Sequence, residues 1–235
     1  YLDAGNQLQH CWTTSWGLST RFIGAIIMTH GDDQGLVLPP RLAPIQIVIV
    51  PIFRSDEERA KVMPVADQVS QALSAFRVKV DDRTEVTPGF KFNDWEMRGV
   101  PLRIEIGPKD VDNGVVTIAR RYLPGKAGKS ALALDNLAQQ IGVVLDEIHD
   151  AMLDKATRFR DANIHEPNTY AELLTTVENG WAYAGWCGGK DCEAKVKEAS
   201  KATTRCMPLD QPEDKGVCVV CGKPATAKVY FARAY

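Results

Sequence analysis

Four cysteines in the last quarter of the chain have the spacing of a metal site. Cys187 and Cys192 enclose Gly-Gly-Lys-Asp, and Cys218 and Cys221 enclose Val-Val before Gly222. A thiolate pair on a tight turn presents two sulfurs to one point, and two such pairs close a tetrahedron around Zn²⁺. Glycines 188, 189 and 222 supply the backbone freedom those turns need. Two disulfides, or cysteines packed in a core, are the alternatives. Cys11 and Cys206 complete the six cysteines, Cys206 falling on a predicted strand.

A second chemical oddity is Arg21, in the first turn of an otherwise apolar helix. A cation there opposes the helix dipole, so it calls for an anionic or aromatic partner; an ordinary salt bridge is the plain reading.

The chain has 235 residues, 45% of them hydrophobic and 25% charged, an ordinary globular composition. It opens at Tyr1 in the middle of a rich motif, and is expected to be the C-terminal part of a longer protein of one to two compact units here. No apolar run reaches the roughly 18 residues of a membrane span and no secretory signal is present, so a cytoplasmic protein without a membrane partner is expected. The net charge of −2 excludes a bulk basic field, so a nucleic acid would have to be held by local contacts.

The elements that must position these groups follow from pattern. A strand to about Trp16, a turn at Gly17 and a helix from Ser19 or Thr20 come first, with Phe22, Ile23, Ile26 and Ile27 as its buried stripe. Gly31 to Gly35 is a turn. Residues 45–51 read as a strand buried on both faces. Ser55 opens a capping-box helix toward Leu73, which Pro64 should kink or split. Residues 76–80 are a strand, Thr87-Pro88 starts a helix that Gly99 closes, and residues 101–106 and 115–121 are strands around an Asp112-Asn-Gly114 turn. Residues 124–129 read as a loop and 130–159 as one helix. Beyond residue 158, Asn168 should cap a short helix to Asn179, with a helix at 191–199 and strands at 203–208 and 228–235. Strands alternating with helices place the chain in the α/β class, with a mixed sheet and helices packed on it.

Several long stretches resemble one family. Thr14-Ser-Trp-Gly-Leu-Ser-Thr-Arg21 with His30-Gly-Asp-Asp-Gln-Gly-Leu-Val-Leu-Pro-Pro40 resembles the third signature motif of a class II prolyl-tRNA synthetase of the archaeal and eukaryote-like type. Residues 89–110 resemble its anticodon-binding domain, and the four cysteines with Ala-Arg-Ala-Tyr235 resemble its zinc-containing C-terminal domain. The resemblance implies three parts: the end of a class II catalytic domain at 1–43, a mixed-sheet anticodon-binding domain at 44–157, and a linker with a small α+β zinc domain at 158–235. It implies that Arg21 packs on the adenine of ATP and meets its phosphates, with Ser19 and Thr20 beside it. Trp16 and Gly17 would floor the proline pocket. Glu96, Arg103, Lys109 and Asp110 would read two guanines of the proline anticodon; an ion pair between Glu96 and Arg103 is the plain alternative. Cys187, Cys192, Cys218 and Cys221 would bind a structural Zn²⁺, and the Tyr235 carboxylate would turn toward the active site, its strand held by Arg205.

The parent enzyme so implied is a homodimeric ligase that uses ATP and Mg²⁺ to activate L-proline and transfers it to tRNA(Pro). Its first and second motifs are absent from this chain, which is therefore expected to be inactive alone, with no catalytic residue of its own. A free-standing RNA-binding module with a structural zinc is the rival, and keeping Ser15 to Arg21 argues against it.

Overall fold

The structure is a computed structural model that describes every residue except Trp12, Pro124 and Tyr235. The chain divides into two compact units, Tyr1–Met152 and Leu153–Tyr235.

The first unit is built on a five-stranded mixed sheet. Its strands are β1 (Ile47–Pro51), β2 (Val78–Val80), β3 (Leu102–Ile106), β4 (Val115–Arg120) and β5 (Lys129–Ala133), in the order β2-β1-β3-β4-β5. β1 runs parallel to both β2 and β3, and β4 and β5 add antiparallel. Period-2 alternation splits β1 and β3 between two cores. Ile47, Ile49, Leu102, Ile104 and Ile106 pack on one face, with α2 (Asp56–Ala72) and α5 (Leu137–Ala162). Val48 and Val50 pack on the other, against Trp95 of α3 (Pro88–Met97). That second face also carries Arg103 and Glu105, both buried.

Local signals set the helix starts. The Ser55 side chain accepts from the Glu58 N–H at 3.2 Å, and Thr87 accepts from the Phe90 N–H at 3.3 Å with Pro88 at the first helical position. Pro64 does not split α2, which runs unbroken past it. The expected helix from residue 130 is corrected. Residues 129–133 form β5, because pairing there satisfies the open side of β4, and Asn136, at φ 53°, takes a left-handed conformation that no helix interior allows. The apolar stripe of α5 begins at Leu137 and stays buried through Ile141, Leu145, Ile148 and Met152.

α3 is held down by a buried ionic cluster. Asp81 lies just past β2 and is 2% exposed. Its carboxylate accepts from the Trp95 indole at 2.7 Å and from Arg83 at 2.8 and 2.7 Å, while the Lys91 ammonium donates to the Asp81 carbonyl at 3.0 Å. Burial works against the Asp81 charge, but the hydrogen bonds from Arg83 and Trp95 and the Lys91 charge outweigh it and hold the carboxyl down at about 2. Burial in turn lowers the Lys91 pKa.

The second unit is a four-stranded sheet, in the order β6-β7-β9-β8, of β6 (Ile164–His165), β7 (Trp181–Trp186), β8 (Ala202–Cys206) and β9 (Ala227–Arg233). α6 (Tyr170–Asn179) and α7 (Lys190–Ser200) cover it through a core that includes Leu173, Val177, Val196, Val229 and Phe231. Thr169, one residue beyond the expected Asn168, caps α6. Residues 181–186, which the sequence pattern assigned to no element, form a strand. No helix among the described residues is long and apolar enough to cross a membrane.

Candidate anticodon interface and cysteine cluster

The cysteine cluster is assembled from two short stretches of chain, residues 187–192 and 218–221. Cys187 follows β7, Cys192 lies in the first turn of α7, and Cys218 and Cys221 sit on a turn closed by a 2.8 Å bond from the Gly222 N–H to the Cys218 carbonyl. Gly222 takes φ 72°, which only glycine adopts cheaply. Gly185 lets the two halves meet: a Cβ there would lie 2.4 Å from the Val217 carbonyl oxygen.

The four Sγ atoms lie within 4.8 Å of one another, with Cys187 at 3.6 Å from Cys192 and 3.7 Å from Cys221. A disulfide would need about 2.05 Å, and all four thiols are free. Sulfurs at about 2.3 Å from a tetrahedral zinc would be about 3.8 Å apart, so this donor set fits such an ion. Burial pushes the Cys218 thiol up, but the backbone N–H groups of Cys221, Val220 and Cys187 outweigh it and hold the thiol at about 7. Burial and hydrogen bonds with Cys187 and Cys221 push Cys192 up to about 12. Cys206 is exposed, at the end of β8.

Of the four expected base readers, the structure joins two. Glu96, near the end of α3, accepts from Arg103 Nη1 at 2.7 Å. Arg103 also donates through Nε and Nη2 to Glu105 Oε1 at 3.1 and 3.0 Å, and its guanidinium lies 4.1 Å over the Phe92 ring. Lys129 donates to both Glu105 oxygens at 2.8 Å. Pairing between Glu96 and Arg103 is thus realised, inside a larger alternating chain of charges. The Arg103 side chain is 9% exposed and the Glu96 side chain 30%, so the carboxylate is what reaches solvent.

Lys109 and Asp110 stand elsewhere, on α4 (Pro108–Asp112), a five-residue helix that the sequence reading placed in no element. It follows the opposite end of β3. Lys109 is exposed. Asp110 caps its own helix: its carboxylate accepts from the Gly107 N–H at 2.8 Å and from the Thr117 hydroxyl at 3.0 Å.

The N-terminal candidates are open. Residues 13–19 carry no regular element in place of the expected strand, Trp16 is 96% exposed, and nothing lies within 4 Å of a Cβ built at Gly17. α1 (Arg21–His30) begins where expected, but Thr20 at its start makes no side-chain cap bond, and Ser19, Thr20 and Arg21 are exposed. The expected buried stripe is corrected. None of the α1 residues is buried, and Phe22 and Ile23 are more than half exposed, because no described element covers them. Tyr235 lies outside the described residues. Its strand ends at Arg233, and Arg205 Nε donates to the Ala232 carbonyl at 3.1 Å.

The sequence reading missed Glu105, Lys129 and Phe92 around Arg103. Glu105 was within reach, because it sits two residues from Arg103 on a strand whose other face is all apolar. Phe92 lies one turn before Glu96 on α3 but carried no signal of its own, and Lys129 comes from a distant segment.

Comparison with known proteins agrees with this layout. The family model "Anticodon binding domain" matches residues 46–163, about half of the chain, and "Prolyl-tRNA synthetase, C-terminal" matches residues 170–235. Proteins named proline–tRNA ligase from Roseiflexus castenholzii and Chloroflexus aurantiacus are each 50% identical over 236 residues, covering all of this chain and 49% of theirs. The chloroplastic/mitochondrial proline–tRNA ligase of Arabidopsis thaliana is 47% identical over 241 residues, again over the whole chain and 44% of its own length. The chain therefore spans about half the length of these curated relatives. With a mixed α/β unit of anticodon-binding type followed by a matched C-terminal unit, the chain belongs to the anticodon binding domain family, in the form found in the C-terminal portion of prolyl-tRNA synthetases.

Proposed function

We propose that this chain is the tRNA-reading and C-terminal part of a proline–tRNA ligase, and that Glu96 and Arg103 recognise an anticodon guanine. The observation that carries the reading is the preset Glu96–Arg103 pair within the matched anticodon-binding region. A guanine presents O6 and N7 as acceptors and N1 and N2 as donors. A guanidinium suits the first edge and a carboxylate the second. Splaying of the anticodon would expose both edges. Arg103 already lies over Phe92 and between two carboxylates, so it needs little reorganisation to serve. Lys109, exposed beyond the far end of β3, would meet a second base or a phosphate, and Asp110 would hold that end in shape.

In the complete enzyme, residues 1–43 would belong to the catalytic domain, 44–157 to the anticodon reader and 158–235 to the linker and zinc domain. Ser19, Thr20 and Arg21 would line the ATP, which with Mg²⁺ activates L-proline before transfer to tRNA(Pro). Trp16 and Gly17 would lie under the proline, and the Tyr235 carboxylate would approach the same site. The open apolar face of α1 supports a covering catalytic domain. Cys187, Cys192, Cys218 and Cys221 would hold a closed Zn²⁺ whose work is structural, tying β7, α7 and the Cys218–Cys221 turn together. A cytoplasmic homodimer is the expected form.

Binding of tRNA(Pro) to the full-length enzyme tests the central claim. Arg103→Ala is expected to weaken it by about 1–3 kcal/mol. Glu96→Gln, which leaves a smaller packing defect, should act in the same direction. Equal affinity for a tRNA with both anticodon guanines changed overturns the reading.

A further inference from the structure

Arg121 lies one residue past β4 and is almost enclosed, its side chain 4% exposed. Its Nε donates to the backbone carbonyl of Glu96 at 2.9 Å, and its two terminal nitrogens donate to the Asp32 carboxylate at 2.8 and 2.6 Å. Its own N–H donates to the Pro101 carbonyl at 2.9 Å. The guanidinium therefore has one orientation.

The Glu96 carbonyl is among the last four of α3, which have no helical partner of their own. The Gly99 N–H takes it at 3.0 Å, and Arg121 adds a cation where the helix dipole is negative. Glu96 is thus gripped twice: Arg121 holds its backbone and Arg103 its side chain. The same helix end is clasped by the segment after Asp32. Leu36 N–H donates to the Met97 carbonyl at 3.0 Å and Leu38 N–H to the Gly99 carbonyl at 3.3 Å. Gly35 and Gly99 permit that approach, since a Cβ at either would meet the opposing chain at 2.6 Å.

We propose that Arg121, anchored by Asp32, is a positioning residue for anticodon discrimination: it fixes the end of α3 so that the Glu96 carboxylate and the Arg103 guanidinium face a guanine in register. The inference rests on the reading of Glu96 and Arg103 as base readers. Arg121 does not touch the base. The cavity lined by Glu96, Arg103 and Arg121 holds about 20 Å³, room for one water and not for a base. Nor does the ion pair make a case on stability alone, because Asp32 is half exposed and such a pair adds little. What the fork supplies is a fixed direction, which a lysine's single ammonium would not reproduce.

The test measures KM and kcat of the full-length synthetase for native tRNA(Pro) and for a tRNA with both anticodon guanines changed. Arg121→Met should raise KM for the native tRNA about tenfold and compress the ratio between the two tRNAs by about as much, short of the roughly 100-fold effect of an ångström-scale misplacement. Arg121→Lys should not restore the ratio. Asp32→Asn, at a half-exposed side chain, should act in the same direction more weakly, and keeps the test open if Arg121→Met does not fold. Added to Arg121→Met it should compress the ratio between the two tRNAs no further, because Asp32 reaches the Glu96 carbonyl through Arg121. Equal losses on both tRNAs, or an unchanged ratio in both single variants, overturn the proposal. A wild-type enzyme that does not distinguish the two tRNAs overturns the base-reader reading and this proposal with it.

Discussion

Cys187, Cys192, Cys218 and Cys221 come from two short stretches, whereas Asp32 and Arg121, which share two hydrogen bonds, are 89 residues apart. The cysteine cluster is mostly local. Each pair is preset by its own turn, and one long-range pairing, β7 with β9, brings the second turn to the first. The Glu96 network is mostly global. It exists only once β3, β4 and β5 have paired and α3 has docked, because its members enter from five segments. A local cluster of soft ligands is suited to holding a small domain together. A dispersed network is suited to fixing direction, since any shift of sheet or helix disturbs it.

The largest contrast should come from the cysteines. Removing metal with a chelator, or Cys218→Ser, should abolish the thermal transition of the second unit while leaving that of the first, since structural zinc contributes on the order of 10 kcal/mol to folding. Metal analysis of the purified chain checks the premise, and an unchanged zinc content in Cys218→Ser breaks it.

Next in size is Asp81, the buried counterpart in the first unit. Asp81→Leu strips the Lys91 ammonium of its carboxylate and should cost about 3–5 kcal/mol by denaturant unfolding. The same residue sets an acid dependence. Its folded pKa, about 2, lies below the ordinary 3.8, so its stabilising contribution is complete above that ordinary value and fades as pH falls toward 2. Asp81→Asn should flatten the loss of stability across that window, and an acid transition identical to wild type counts against this account.

A smaller effect is expected at Gly185. An added methyl meets the Val217 carbonyl at 2.4 Å, so Gly185→Ala must push β7 and the Cys218–Cys221 turn apart. Zinc affinity should drop several-fold while the first unit melts as before. If Gly185→Ala binds zinc as wild type does, the close approach is not what brings the two halves together. The smallest effect is Cys206→Ser, at an exposed strand end, which should stay within about 0.5 kcal/mol of wild type and retain its metal. A Cys206 variant that loses zinc would break the division between ligands and bystander.

Much of this molecule is determined by its amino-acid sequence alone. Ser55 and Thr87-Pro88 mark helix starts by hydrogen bonds that reach only three residues, so they are readable from a short window. The alternation of Leu102, Ile104 and Ile106 assigns a strand and its buried face together. The cysteine spacings predict a four-sulfur cluster because each pair needs only its own turn. Tertiary structure decided what depends on partners far along the chain. Residues 129–133 became a strand because β4 had an open side to pair. Glu96 and Arg103 became a fixed pair because docking α3 on the sheet brings a helix end over a strand. The stripe of α1 remained exposed because burial needs a covering surface, and no described element of this chain provides one. Periodicity states which face of an element is apolar; only the assembled fold decides whether anything meets it.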